Sequence, residues 1–211
     1  MFFVFKISSN ASWYYKTKTN ILMKKFSLFA LMMTMTIASF AQTWKVDGAH
    51  SRLGFKVTHN SISEFQGNFN TYEANIQQGK SGFEGATINV VIDVNSINTD
   101  NDARDNHLKS ADFFNVEKNP KITFKGGAFK KTGEKTYTSA GDLTFNGVTK
   151  PMTLDIKVNG TTINERNKKE IAGLTVTGNF KRSDFGFAAG MGEAMLSDVV
   201  TLYATGEFTK E

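Results

Sequence analysis

The chain has 211 residues and no cysteine, which excludes thiol nucleophiles, redox dithiols, disulfides and cysteine-bound metals. Its formal net charge of +5 comes entirely from five lysines that precede residue 42, because the remainder holds 20 basic and 20 acidic residues. A neutral chain whose Lys and Arg are scattered is not expected to bind nucleic acid.

The first 41 residues have the pattern of a secretory leader. Lys24 and Lys25 precede an uncharged stretch from residue 26 to residue 40, and Ser39-Phe40-Ala41 places small residues where a signal peptidase recognises them. An apolar run of about 15 residues is shorter than the roughly 20 that span a bilayer. We therefore expect translation to start at Met23, cleavage after Ala41, no permanent membrane anchor, and a periplasmic or secreted domain over residues 42–211.

From residue 43 onward, apolar residues recur mostly at every second position, and clusters of Gly and Asn separate the runs. This period is typical of antiparallel strands with one buried face. The clearest runs have the following apolar members: Leu53, Phe55 and Val57; Ile88, Val90, Ile92 and Val94; Ile122 and Phe124; Met152, Leu154, Ile156 and Val158; Leu174, Val176 and Phe180; and Val200, Leu202, Ala204 and Phe208.

Further strands are predicted at residues 44–46, 69–76 and 137–145, for a total of about eight or nine. Asn146-Gly147 predicts a tight hairpin because both residues tolerate a positive φ. One short helix is predicted from Asp102 to Asp112, with Asp102 as its N-cap.

The predicted fold class is all-β and antiparallel, because strands without covering helices must bury their apolar faces against one another. A sandwich and a closed barrel both satisfy this requirement, and the alternation does not choose between them. A barrel of about eight strands has an interior that holds side chains or one small ligand.

The residues that a metal or redox site would need are His50, His59 and His107, but their spacing matches no common ligand pattern. Asp47 near His50 and Asp105 near His107 leave open a site that forms only in space. The sequence has no GxSxG nucleophile elbow and no Gly-rich phosphate loop between a strand and a helix. It therefore predicts no catalytic residue, no metal, no cofactor and no enzymatic activity.

Two segments combine charge with aromatic residues, at 104–114 and at 182–186. In one interpretation Arg104 and Asp112 pair or cap a short helix at one end of the barrel, while Phe113 and Phe114 pack in the core. In the other, the polar groups of these segments meet the head group of a ligand at the mouth of a cavity.

In combination and order, the motifs of this chain resemble the YceI-like proteins, a family of lipocalin-like barrels from bacterial periplasms. The matching segments run nearly from end to end of the domain: 44–47, 50–51, 55–59, 67–69, 104–110, 112–114, 120–124, 141–151 and 182–186. The Gly- and Met-rich stretch from Ala188 to Leu196 departs from the pattern, and we expect a mobile loop there, near the mouth.

The resemblance implies an extended barrel that encloses a polyisoprenoid chain, such as a quinone tail, or another amphiphile. The expected function is that of a carrier or sequestering protein for such a lipid, and a histidine-based metal-binding or redox-associated stress protein is the alternative. Whether two chains associate as a homodimer is left open. Motif positions and inward-facing parity together give the expected ligand contacts: Phe55, Val57, His59, Phe69, Val90, Ile92, His107, Leu108, Phe113, Phe114, Phe124, Phe145, Leu154 and Phe185.

Overall fold

A computed structural model describes residues 42–211 of the chain. The predicted start at Met23 and the predicted cleavage after Ala41 lie outside these residues. None of the helices in the described part has the length and apolar character needed to cross a membrane.

Twelve antiparallel strands make up most of the described chain. Their bounds are β1 Thr43–Val46, β2 Arg52–His59, β3 Ser63–Phe69, β4 Tyr72–Gly79, β5 Gly82–Asp93, β6 Ile97–Asn98, β7 Lys121–Gly126, β8 Lys130–Lys131, β9 Thr136–Phe145, β10 Val148–Ile163, β11 Glu170–Lys181 and β12 Val199–Lys210.

The strands close into a barrel with eight positions around its wall. Three positions each hold two consecutive strands. At the first, β1 and β2 both pair with β12. At the second, β4 pairs with β1 and β3 pairs with β2, and at the third, β5 pairs with β4 and β6 pairs with β3. The wall continues through β7, β9, β10 and β11 to β12, and the short β8 pairs with β9. The structure therefore confirms the antiparallel barrel and excludes the sandwich.

The alternation correctly predicted most strands but not their interruptions. The strand predicted at residues 69–76 is two strands, because β3 ends at Phe69 and β4 begins at Tyr72. The tight turn between β9 and β10 is confirmed, since Asn146 and Gly147 have φ values of 49° and 73°. On β10 the predicted parity holds along the strand, with Met152, Leu154, Ile156 and Val158 all buried.

The helix α1 spans Asp102–Lys109 and is shorter than predicted. Its N-cap is Asn101 and not Asp102, because the Asn101 side chain accepts a hydrogen bond from the Arg104 backbone N–H at 2.9 Å. The buried carboxylate of Asp105 accepts hydrogen bonds from the backbone N–H and the hydroxyl of Thr99. These contacts anchor α1 to the chain that leaves β6.

Candidate functional site

The barrel encloses two adjoining cavities. The larger, here called the mouth cavity, has a volume of about 380 Å³ and is bordered by α1, the ends of β2 and β3, and the segment 187–196. The smaller, here called the inner cavity, has a volume of about 90 Å³ and lies among β4, β5, β11 and β12. Four side chains, here called the waist, line both cavities: Ile92, Ile122, Leu143 and Leu202.

Thirteen of the fourteen expected ligand contacts line one or both cavities. Ten line the mouth cavity: Phe55, Val57, His59, Phe69, Ile92, His107, Leu108, Phe113, Phe114 and Phe145. Four line the inner cavity: Val90, Ile92, Phe124 and Leu154. Their role in binding a ligand remains a prediction, but the structure places them around two adjoining cavities.

Phe185 lines neither cavity, so its predicted position is wrong. Residues 182–185 form a 3₁₀ turn, and Gly186 then takes the left-handed conformation with φ of 63°. Side chains do not alternate between two faces in such a turn, and Phe187 lines the mouth cavity where Phe185 was expected. Phe185 is buried behind the cavity, with its ring 5.5 Å from that of Phe145 and 5.3 Å from that of Phe180.

Phenylalanine rings form much of the wall of the mouth cavity. The Phe145 ring lies 4.9 Å from that of Phe187 and 5.8 Å from that of Phe114 between centroids. The Phe55 side chain lies across Gly67 on the neighbouring strand, where an added Cβ would come within 2.5 Å of the ring. Gly67 therefore allows Phe55 to lie flat against the wall and leaves the cavity open.

Six polar or charged side chains line the mouth cavity, and four of them, Arg182 included, already make hydrogen bonds within the protein. Ser63 donates to the His59 carbonyl at 3.3 Å, and Glu64 accepts from Lys56 at 3.1 Å. Arg104 donates to the hydroxyl of Thr99 at 2.9 Å and to its carbonyl at 2.7 Å. Hydrogen bonds from Lys56 and from a neighbouring glutamine hold the pKa of Glu64 below its usual range.

The two imidazoles at the mouth, His59 and His107, have no side-chain hydrogen-bond partner within residues 42–211. The His107 ring instead meets Phe113 edge-on at 4.9 Å. Ser63, Glu64 and the histidines do not form a hydrolytic triad, since the serine hydroxyl and the carboxylate have the other partners given above. An imidazole can donate or accept a hydrogen bond, so these two side chains can meet a polar ligand head.

Arg104 does not pair with Asp112, contrary to one interpretation of the segment 104–114. Its guanidinium donates to Thr99 and lies 4.5 Å from the Phe65 ring centroid, a cation–π contact. Phe114 is buried as that interpretation expected, whereas Phe113 is only half-buried and faces the mouth cavity.

Arg182, which belongs to the second charged and aromatic segment but was not among the expected ligand contacts, is buried at the mouth cavity. All five of its N–H groups donate to backbone carbonyls, at distances from 2.6 to 3.2 Å. The acceptors are carbonyls in the stretch 188–196, which departs from the family pattern, and in the residues on either side of that stretch: Phe187, Ala188, Met191, Leu196 and Ser197. The guanidinium therefore shapes this loop and has no N–H group left for a ligand.

The loop that Arg182 holds forms one side of the mouth. Met191, Met195 and Leu196 line the mouth cavity, and the Met195 carbonyl accepts from the Asn60 N–H at 2.9 Å. Asp198 fixes the preceding turn through the Ser183 N–H and hydroxyl, and these bonds lower its pKa. The predicted position of this loop near the mouth is therefore confirmed.

The inner cavity is almost wholly apolar, and two tyrosines, Tyr72 and Tyr203, line it. The Tyr203 hydroxyl donates to Asn68 at 3.2 Å, whereas the buried Tyr72 hydroxyl makes no hydrogen bond of good geometry in the described part of the chain. Burial raises the pKa of Tyr72, and the neighbouring Ser51 hydroxyl and Arg52 offset part of that rise. A buried hydroxyl without a good hydrogen bond is unfavourable. A ligand oxygen at this depth would accept a hydrogen bond from the Tyr72 hydroxyl, and that bond would stabilise the complex.

The three histidines do not come together. His59 and His107 line the mouth cavity, whereas His50 lines neither cavity and accompanies Asp47 and Glu207. Asp105, which the sequence placed near His107, is bound to Thr99 instead. The three-histidine site of the alternative function is therefore not formed.

Comparisons with known proteins identify the type of barrel. A family model described as the YceI-like domain matches residues 44–208. The UPF0312 protein SAB2563 of Staphylococcus aureus strain bovine RF122 is 36% identical over 167 residues, which is 77% of this chain and 95% of the relative.

Two solved structures have the same fold. The Campylobacter jejuni YceI protein is 35% identical, with a TM-score of 0.67 over 74% of this chain and 91% of that one. A polyisoprenoid-binding domain from Saccharophagus degradans is 16% identical, with a TM-score of 0.58 over 81% of this chain and 99% of that one, and it is similar in fold alone.

Proposed function

The chain belongs to the YceI-like family, and from that premise we propose that it carries or sequesters a long-chain isoprenoid lipid, or a similar amphiphile, in its barrel. The observation that supports this most directly is the pair of adjoining, largely apolar cavities that share the waist. The mouth cavity alone is within the range of about 300–1,000 Å³ that is usual for ligand sites.

The lining favours a hydrocarbon tail over a compact polar ligand. Transfer of each methylene from water into such an interior contributes about 0.8 kcal/mol, so affinity grows with chain length. The rings of Phe55, Phe114 and Phe145 and the waist provide this apolar contact. The head of the amphiphile is expected at the mouth, beside His59 and His107.

Binding without catalysis is the proposed role. At the mouth, the serine, the carboxylate and Arg104 are occupied by hydrogen bonds within the protein. No reaction is needed for a carrier or a sequestering protein, and the reversible gain from apolar burial is sufficient. We further propose that a signal peptide directs the chain to the periplasm or the exterior, where such a protein would hold a lipid away from water.

Organic extraction tests the proposal. The chain is produced with its own leader in a bacterial host, purified without detergent, extracted with chloroform and methanol, and its lipids are identified by mass spectrometry. We expect an isoprenoid-type lipid at close to one per protein, in the envelope fraction. Extracts that repeatedly contain no amphiphile, together with no binding of added prenyl alcohols, would contradict the proposal.

A further inference from the structure

Three potential metal ligands lie together at the barrel seam, the place where the first strands meet the last strand β12. One ligand atom each from Asp47, His50 and Glu207 lies within 4.8 Å of the other two. Asp47 caps the short 3₁₀ turn between β1 and β2, His50 is the last residue of that turn, and Glu207 belongs to β12. We propose that these residues bind a divalent transition-metal ion of the Zn²⁺ type.

The backbone holds these three positions in place. The Asp47 N–H donates to the Glu207 carbonyl at 2.8 Å, and the Glu207 N–H donates to the Ser51 hydroxyl at 3.1 Å. Asp47 also caps the turn by accepting from the Ala49 N–H at 2.9 Å. The site therefore needs only small side-chain movements to close around an ion, and little ordering of the backbone.

The charge of the group also favours a cation. Asp47 and Glu207 contribute two carboxylates, and the only cationic partner within 4.0 Å of either, among residues 42–211, is the His50 ring at 2.8 Å from Asp47. The nearby Lys45 is paired with Glu211 instead. Two carboxylates at this separation repel each other, and a divalent ion would offset that repulsion.

The ligand set selects the type of ion. One imidazole nitrogen and two carboxylate oxygens suit Zn²⁺, which takes N and O ligands at about 2.0–2.2 Å and often completes its shell with water. Tetrahedral coordination at those lengths separates ligand atoms by about 3.4 Å, so the Asp47–His50 hydrogen bond opens slightly as the ion replaces the proton. Mg²⁺ and Ca²⁺ prefer six or more oxygens and fit this group poorly.

The ion would act as a staple across the seam. It would join the corner between β1 and β2 to β12, between the Trp44–Val46 pairing and the Arg52–Lys56 pairing with that strand. A chain without cysteine cannot form a disulfide at this place. A ligand that binds only the folded state raises the unfolding temperature as its concentration rises, so the staple has a direct thermal signature.

Calorimetric titration of the chelator-treated protein with ZnCl₂, and separately with MgCl₂, tests this site. We expect about one equivalent of Zn²⁺ per chain, no heat of binding with Mg²⁺, and an unfolding temperature that rises with Zn²⁺ concentration. His50→Ala and Glu207→Gln should each weaken Zn²⁺ binding at least about tenfold and abolish the thermal shift, because three ligands become two.

The matched control is His107→Ala, which removes a histidine far from the seam ligands and should leave Zn²⁺ affinity unchanged. Melting curves without metal establish that each variant is folded before titration. Equal Zn²⁺ affinity in the wild-type protein and in His50→Ala would overturn the assignment, as would wild-type protein that binds no Zn²⁺. Loss of binding in His107→Ala alone would move the ion to the mouth and equally defeat the proposal.

Discussion

At the scale of single residues, aromatic side chains both fill and shape the interior. Phe145 contacts the rings of Phe114, Phe180, Phe185 and Phe187, so it joins the cavity wall to the packing behind it. The interior is therefore neither solid nor simply hollow. The rings line the mouth cavity and leave a volume of about 380 Å³.

Replacement of Phe145 by Ala should destabilise the barrel strongly. Truncation of a buried phenylalanine removes its contacts and leaves a void, which usually lowers the free energy of unfolding by about 3–5 kcal/mol. Urea titration followed by tryptophan fluorescence measures the change. The control Val148→Ala alters a more exposed residue of the adjacent strand and should change the free energy by less than about 0.5 kcal/mol.

Tyr72→Phe separates a structural hydroxyl from one that serves a ligand. Because the buried hydroxyl makes at most a weak contact with the Ser51 hydroxyl in the described chain, its removal should leave the free energy of unfolding unchanged or slightly higher. If a ligand oxygen reaches this depth, the variant should bind that ligand about three- to tenfold more weakly. Binding of a pure hydrocarbon of equal length should stay the same, and calorimetric titration with both ligands checks the difference.

At the scale of elements, the segment after β11 is held by an unusual anchor. A short 3₁₀ turn, a left-handed Gly186 and the five hydrogen bonds of Arg182 place the loop at the mouth. The loop has little regular secondary structure of its own, so its path depends on this side chain together with bonds to the β2–β3 turn, such as that from the Asn60 N–H to the Met195 carbonyl. The mouth is consequently sensitive to a change at Arg182, which is not one of the expected ligand contacts.

Arg182→Lys should loosen the loop although it keeps the positive charge. Lysine has three donors where arginine has five, so at least two buried carbonyls lose their partners, each at about 1–3 kcal/mol. Urea unfolding should show that loss, and a glutamate-specific protease should cleave faster at the exposed Glu193 within the loop. Lys181→Ala, at the exposed neighbour, is the control, and equal cleavage of both variants would contradict this role.

At the scale of the whole molecule, closure of the wall decides the shape of the space. The pairing of β12 with both β1 and β2 joins the two ends of the meander and leaves few free sheet edges. The interior narrows at the waist, which separates the two cavities. A tail longer than the mouth cavity must pass the waist to reach the inner cavity.

Leu202→Trp should block this passage, and Leu202→Ala should widen it. In the wild-type protein, affinity for a series of prenyl alcohols should rise with length by about 0.8 kcal/mol for each buried methylene. In the tryptophan variant the affinity should stop rising after the shorter prenyl alcohols. In the alanine variant the affinity should continue to rise with the length of the alcohol. Competition against a fluorescent fatty acid gives both curves, and identical length dependence in the two variants would disprove passage through the waist.

Much of the fold could be predicted from the sequence because strand parity is a local property. On β10 the run from Met152 to Val158 alternates without exception, and the chain buries the predicted face. Asn146-Gly147 likewise fixed a turn whose two positive φ values few other residue pairs tolerate. The closed barrel followed from the family resemblance, since alternation by itself also permits a sandwich.

What the sequence by itself determined was therefore the class of fold and the faces of the strands, and of the fourteen contacts expected from motif positions and parity, thirteen line a cavity. The tertiary structure alone decided which of them share a cavity, because that depends on closure between strands more than 140 residues apart. It also placed Phe187, and not Phe185, at the mouth cavity, and it directed the hydrogen bonds of Arg182 to the mouth loop. Asp47, His50 and Glu207 likewise come together only in the folded barrel. Periodicity describes one strand at a time, whereas turns, buried donors and seams depend on contacts between distant segments.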